Sequence, residues 1–71
     1  MSEEKYKGII KALAYAMLTE QSVNVALNRG ESIKVEGVIK KVDEDSFKIL
    51  SEETGEKERV AISEVEYVEY S

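Results

Sequence analysis

The chain has 71 residues, no cysteine, no histidine and a net charge of −5 at pH 7. This length allows one domain with a small core, and the composition excludes disulfides and disfavours a transition-metal site. The acidic balance argues against non-specific binding to long duplex DNA, because that affinity comes from Lys and Arg. No apolar stretch reaches the roughly 20 residues that cross a bilayer, and no secretion signal is recognised, so we expect a cytoplasmic protein without membrane contact.

A helix is predicted from about Glu3 to Thr19, with Ser2 as its N-cap. The helical spacing of apolar residues predicts a core-facing stripe, made of Tyr6, Ile10, Leu13 and Met17 with Ile9 beside it. The opposite side gathers small residues around one aromatic residue: Gly8, Ala12, Tyr15, Ala16 and Thr19. This side is either a neutral surface that reflects the helix propensity of alanine, or a second contact surface anchored by Tyr15.

Five strands are predicted after the helix, because the apolar period changes to two. Four of them cover residues 23–28, 32–42, 57–62 and 66–70, and the third strand in chain order carries Phe47 and Ile49 inward. In the first strand Val23, Val25 and Leu27 form the dry face, and Asn24, Ala26 and Asn28 form the polar one. Turns are predicted at 28–31, 43–46 and 52–56, with Gly30 at positive φ, and a short 3₁₀ turn or bend at 63–65.

The second strand is long, and its apolar phase breaks near Gly37, where Val38 and Ile39 are adjacent. Such a break predicts a bulge or sharp bend at the glycine. Bent strands of this kind build small closed barrels. The predicted fold class is therefore α+β, a single domain of residues 1–71 with an N-terminal α-helix at 1–20 and a five-stranded, strongly bent antiparallel β-barrel at 23–70, of the SH3-like or Sm-like kind.

Five features of the sequence form one pattern: VNVAL at 23–27, Gly30, Gly37–Val38–Ile39, Asp43 and VAISEV at 60–65. Together they resemble the Sm-like family, and the bacterial Hfq branch is similar in its order of parts. The spacing from Gly30 to Gly37 is two residues longer than in most Sm and Hfq proteins and is more similar to that of the YolD-like proteins of bacteria and mobile elements. The resemblance implies a ring in which the last strand of one subunit pairs with strand 4 of the next.

The resemblance also implies an oligomer interface on the helix and the last strand. Its predicted residues are Gly8, Ala12, Tyr15, Val65, Tyr67, Val68 and Tyr70. Two features depart from Hfq. Val60 stands where Hfq has the histidine that lines its RNA pore, and Met17–Leu18–Thr19–Glu20 replaces the basic patch at the end of the helix. These departures argue against a general RNA-chaperone activity.

The ligand-binding candidates are polar, basic and aromatic residues. Arg29, Lys48 and Arg59 could contact phosphate, Asn24 and Asn28 could contact base edges, and Tyr15 could stack on a base. Taken singly, each fits an ordinary surface residue better than a ligand contact. Repeating one weak contact round a ring would raise the affinity without new chemistry.

No catalytic group, cofactor or metal site is predicted. His and Cys are absent, there is no glycine-rich phosphate loop, and Ser46 and Ser63 are expected in turns without a neighbouring base. Asp43, Glu44 and Asp45 lack the alternating ligand spacing of a calcium loop, so a solvated acidic turn is expected.

Three functions are compatible with the sequence. The first is a non-enzymatic, ring-forming Sm-like protein that binds short RNA or small nucleotides, for example as a nucleotide-sequestering protein of a phage or mobile element. The second is a protein–protein interaction adaptor of the YolD-like type, which would dock a partner on the helix face or on the acidic second half. The third is a purely structural or designed barrel that binds nothing.

Overall fold

The structure, a computed structural model, describes residues 3–70. Its elements in chain order are α1 (Glu3–Thr19), β1 (Ser22–Asn28), β2 (Ser32–Val42), β3 (Ser46–Ser51), β4 (Lys57–Ala61), the 3₁₀ turn η1 (Ile62–Glu64) and β5 (Val65–Tyr70). The α+β class and the order of parts agree with the sequence-based prediction. Ser2, the predicted N-cap, lies outside the described residues.

The helix ends after Thr19 because the backbone turns left-handed at the next residue. Glu20 has φ of 55°, and the main-chain N–H of Gln21 donates to the carbonyl oxygen of Ala16 at 3.1 Å. This bond satisfies a carbonyl that the end of a helix leaves without a partner. The chain then enters β1 directly, so the helix lies against the sheet that follows it.

The buried face of α1 is centred on Leu13. Its buried side chains are Ile9, Leu13 and Ala16, and Tyr6, Ile10 and Met17 pack partly buried at its flanks. The predicted core positions Leu13 and Ile9 are confirmed. The prediction that Ala16 lies on the opposite side is wrong. The burial of this methyl group is consistent with a close approach of the helix to the core, because a larger side chain would need more room.

The five strands form one antiparallel sheet in the order β4-β3-β2-β1-β5. The strands β4 and β5 are its two edges, and among the described residues they do not pair with each other, so the sheet is open. This corrects the prediction of a closed barrel. Its core is nevertheless continuous, because side chains from the helix, all five strands and η1 belong to one buried cluster. They include Val23, Val25, Leu27, Ile39, Phe47, Ile49, Val60, Ile62 and Val65.

Gly37 has a steric role that differs from the predicted one. The register shift of β2 against β3 lies between Ile39 and Lys41, not at the glycine. A Cβ atom at Gly37 would lie 2.0 Å from the carbonyl oxygen of Leu50. No side chain fits at that distance, so the glycine permits a close approach of β3 to β2.

Two other predictions concern single residues. Gly30 has φ of 83° and is confirmed as the left-handed residue of the β1–β2 turn. Ala26, placed on the polar face of the first strand, is 1% exposed. It lies between Lys34 on one side and Tyr67 on the other. A small side chain in this position is covered by its two larger cross-strand neighbours.

Candidate functional site

Three basic side chains form a row across the outer face of the sheet, the face turned away from the core. Lys41 of β2 pairs with Lys48 of β3, and Lys48 pairs with Arg59 of β4. All three residues are exposed. We call Lys41, Lys48 and Arg59 the basic row.

The β2 bulge places Lys41 in this row. Ile39 is buried opposite Ile49, so in a regular strand Lys41, two positions later, would point to the same side. The shift between Ile39 and Lys41 lets Lys41 pair with the outward-facing Lys48 instead. The bulge is therefore responsible for the juxtaposition of the two ammonium groups.

The basic row has few internal partners. The Nε of Arg59 donates to the Oγ of Ser46 at 3.2 Å, which holds the guanidinium against the sheet. The Nζ of Lys41 lies 3.9 Å from the Oδ1 of Asp43, both on exposed side chains, a pairing that contributes little. Between residues 3 and 70, Lys48 has no carboxylate within 4.0 Å. Like charges placed directly opposite each other on a sheet repel, so this row costs stability as it stands.

Arg29, the third phosphate candidate, lies away from the row and already binds two carboxylates. Its Nη1 donates to the Oε1 of Glu58 at 3.0 Å, and its Nε donates to the Oε2 of Glu64. The hydrogen bond that Arg29 donates to Glu64, followed by the one that it donates to Glu58, raises the pKa of Arg29 above its usual value. The structure therefore shows this arginine as a link between the β1–β2 turn, β4 and η1.

The two asparagines lie on β1, away from the basic row. Asn24 is paired with Glu36 of β2 and Glu69 of β5, so carboxylates flank it on both sides. Asn28 ends the strand opposite Ser32. The outer face is thus acidic towards β5 and basic towards β4, and the structure does not bring the asparagines together with Lys48 and Arg59.

Tyr15 contacts the last strand rather than an open surface. Its ring meets that of Tyr70 edge to face, with centroids 5.9 Å apart and planes at 80°. The hydroxyl of Tyr70 donates to the carbonyl oxygen of Ala12 at 3.2 Å. These contacts attach β5 to the helix, while both rings remain about half exposed.

A shallow groove of about 240 Å³ separates the helix from the free edge of β5. We call it the helix–β5 groove; it is lined by Lys5, Gly8, Ile9, Ala12, Glu66, Tyr67 and Val68. Four of the predicted interface residues, Gly8, Ala12, Tyr67 and Val68, border it. Val65 does not, because its side chain is buried in the core with 2% exposure.

A second shallow groove lies between the helix and the acidic turn after β2. Its volume is about 530 Å³, and its lining is Ile10, Ala14, Met17, Val42, Asp43 and Glu44. The hydroxyl of Tyr6 donates to the carbonyl oxygen of Glu44 at one end. This bond attaches the turn to the helix.

Sequence reasoning missed Lys41 as a partner of Lys48 and Arg59. The sequence carries only an indirect signal, because the alternation of β2 predicts a bulge at Gly37, whereas the register shift lies between Ile39 and Lys41. The cross-strand register was needed to align the three cations.

The described part of the chain holds no group of three or more acidic residues arranged to bind a metal ion. Of the two serines considered, Ser46 accepts the hydrogen bond from Arg59 and Ser63 lies exposed in η1. Between residues 3 and 70, no helix is both long enough and apolar enough to cross a membrane.

No family model matches the sequence, and no curated protein matches it.

Proposed function

We propose that this chain is a non-enzymatic, Sm-like binding protein that assembles edge to edge into a ring and binds a short RNA or a small nucleotide. The fold supports this proposal: one N-terminal helix precedes a five-stranded antiparallel sheet, and within residues 3–70 the edge strands β4 and β5 have no strand partner on their outer sides. Unpaired edges are normally blunted or covered in natural proteins, because they present unpaired N–H and C=O groups. Assembly would satisfy both edges in every subunit.

The observation that carries the proposal is the opposite charge of the two edges. On the outer face, β4 presents Lys57 and Arg59, whereas β5 presents Tyr67 and Glu69. Pairing β4 of one copy with β5 of the next would place cations beside a carboxylate. Since the two surfaces differ, the contact is heterologous, and repeating it closes a ring when the rotation permits.

Charge reversal at the two edges tests the assembly. Native mass spectrometry of the wild-type protein should show a closed oligomer, and Glu69→Lys should shift it towards the 8.0 kDa monomer. The double variant Glu69→Lys with Arg59→Glu restores opposite charges and should recover the oligomer. Glu31→Lys, the same change at an exposed position of the β1–β2 turn, is the matched control. A monomeric wild-type protein at micromolar concentration contradicts the ring.

The ligand is tested on the same samples. A closed oligomer purified from cells should retain extra mass in the range of a nucleotide or short oligonucleotide, and the recovered ligand should be chemically intact because no reaction is proposed. Fluorescence anisotropy with a labelled oligouridylate of about six nucleotides measures the affinity directly. Absence of binding at low salt would remove the nucleotide part of the proposal.

A second candidate is a protein–protein adaptor, favoured by the apolar residues that the helix leaves uncovered. Leu18 is 79% exposed and Tyr15 53% exposed. A monomer that binds no phosphate ligand, together with a partner that co-purifies at fixed stoichiometry and is lost on Leu18→Lys, would support the adaptor over the ring.

A further inference from the structure

We infer that the basic row Lys41–Lys48–Arg59 is the phosphate-contact surface, and that it takes a ligand with at least two neighbouring phosphate groups. The inference rests on the proposed function, since it names where on this chain a nucleotide ligand is held. Neighbouring phosphate groups of this kind occur both in a nucleotide polyphosphate and in the backbone of a single-stranded nucleic acid.

The charge of the basic row is largely uncompensated within the described part of the chain. The sequence contains 15 acidic residues against 10 basic ones, yet the only ion pair found for the row within residues 3–70 is the 3.9 Å approach of Lys41 to Asp43. Elsewhere in the same region Arg29 has two carboxylate partners. Lys48 and Arg59 have no such partner among the described residues and Lys41 has only this distant one, so the three adjacent cations repel one another. A bound dianion or polyanion would remove this repulsion, so the row gains more from an anion than scattered lysines would.

The three residues of the basic row lie on one line across β2, β3 and β4. Adjacent strands lie about 4.8 Å apart, so the three Cα positions span roughly 10 Å in a line perpendicular to the strands. Arg59 is held by its Nε bond to Ser46, which leaves its terminal nitrogens to donate as a fork to phosphate oxygens. The two lysines act as point charges beside it. The line matches consecutive phosphates better than a single one.

The shape of the surface sets the expected specificity. The row lies on the outer face of the sheet, and no aromatic residue belongs to it. Contacts to phosphate alone position a ligand without reading its sequence. We therefore expect little preference among bases, and a salt dependence set by about three contacts, with log K falling against log salt at a slope of about −2.

The experiment compares Lys48→Glu with Lys34→Glu. Lys34 is also an exposed lysine on the outer face, but it is paired with Ala26 of β1 instead of another cation. Both substitutions change the net charge equally. A difference in ligand affinity between the two variants is therefore due to the place of Lys48 in the basic row. Anisotropy of the labelled oligouridylate at two salt concentrations should show at least a tenfold loss of affinity for Lys48→Glu and less than a threefold loss for Lys34→Glu.

Competition separates the two phosphate sources. Unlabelled tripolyphosphate that displaces the oligouridylate at low concentration indicates a nucleotide polyphosphate site, whereas displacement only by an oligonucleotide indicates a backbone site. Either result supports the inference when Lys48→Glu weakens that competitor. Lys48→Gln, which removes the charge without reversing it, should give an intermediate loss, and circular dichroism and native mass confirm that the variants fold and assemble as the wild type does.

The outcomes distinguish the two proposals. Wild-type protein that binds no phosphate ligand overturns the proposed ligand and this inference together. Wild-type protein that binds, with equal affinities for Lys48→Glu and Lys34→Glu, overturns the basic row alone and leaves the proposed function standing.

Discussion

The guanidinium of Arg29 and the carboxylate of Glu58 lie 3.0 Å apart, although the β1–β2 turn and β4 are separated in the sheet by β2 and β3. Arg29 also binds Glu64 of η1. A flat sheet could not bring these residues together, so the contact shows that the sheet is strongly curved. The three side chains form an ionic link across the side where the sheet stays open.

Replacing Arg29 should destabilise the fold modestly. The side chains of Arg29 and Glu58 are 33% and 43% exposed, so solvent screens the link, and we expect Arg29→Ala to lower the free energy of unfolding by about 1 kcal/mol. Urea denaturation at low salt and at high salt measures it, and the loss should shrink at high salt. Lys34→Ala is the control. An equal loss for both variants would contradict a specific link.

The pH dependence of this link follows from the direction of the pKa shift. The pKa of Arg29 is raised in the folded chain by its bonds to Glu64 and Glu58, so protonation of arginine favours folding from neutral pH up to its unfolded pKa. That contribution would be lost only as the pH rises through the folded pKa, in strong alkali. From neutral pH to moderately alkaline pH, the difference between Arg29→Ala and wild type should stay constant.

The two glycines Gly37 and Gly8 should respond in opposite directions to alanine. At Gly37 a Cβ would overlap the carbonyl oxygen of Leu50, whereas at Gly8, inside α1, nothing lies within 4 Å of it. We expect Gly37→Ala to cost about 2 kcal/mol or more, because the strands must separate. Gly8→Ala should stabilise the helix by about 1 kcal/mol. Thermal unfolding of both variants checks this pair, and a tolerated Gly37→Ala would disprove the close approach.

The buried position of Ala16 predicts a different response from that of Ala14, two residues earlier. Ala16 is 0% exposed, while Ala14 lines the groove beside the acidic turn. Ala16→Leu should destabilise by about 1–3 kcal/mol through overpacking, and Ala14→Leu should change stability little because the groove has room. Chemical denaturation compares them. A larger loss of stability for Ala14→Leu than for Ala16→Leu would contradict the buried position of Ala16 and favour the helix orientation predicted from the apolar stripe.

Tyr15 and Tyr70 should be energetically coupled. Their edge-to-face contact joins α1 to the end of β5, and a double-mutant cycle with alanine should give a coupling of about 0.5 kcal/mol, at the low end for aromatic pairs because both rings are half exposed. Tyr70→Phe keeps the ring but removes the hydrogen bond to Ala12. It therefore separates the contribution of the hydroxyl from that of the edge-to-face ring contact. A coupling of zero would show that the rings act independently.

The basic row illustrates why the candidate site was only partly predictable. Lys48 and Arg59 are recognisable as phosphate candidates by residue type alone. Their adjacency to each other and to Lys41 depends on strand pairing across residues that are far apart in sequence. Arg29 is chemically equivalent to Arg59 in the sequence, yet the fold gives it Glu58 and Glu64 as partners. Residue type thus predicts which side chains can bind phosphate, and the strand register determines which of them lie side by side.

The sequence by itself determined the local structure of this protein. Apolar periodicity places the helix at Glu3–Thr19 and the long strand at Ser32–Val42, because the core-facing repeat differs between helix and strand. Tertiary structure decided the helix face, the position of the bulge and the state of the sheet edges. Burial of Ala16 depends on how closely the helix approaches the core, and the bulge at 39–41 depends on which register of β2 on β3 buries the most apolar surface. These features depend on packing between residues that are far apart in the sequence, so a local sequence pattern does not predict them.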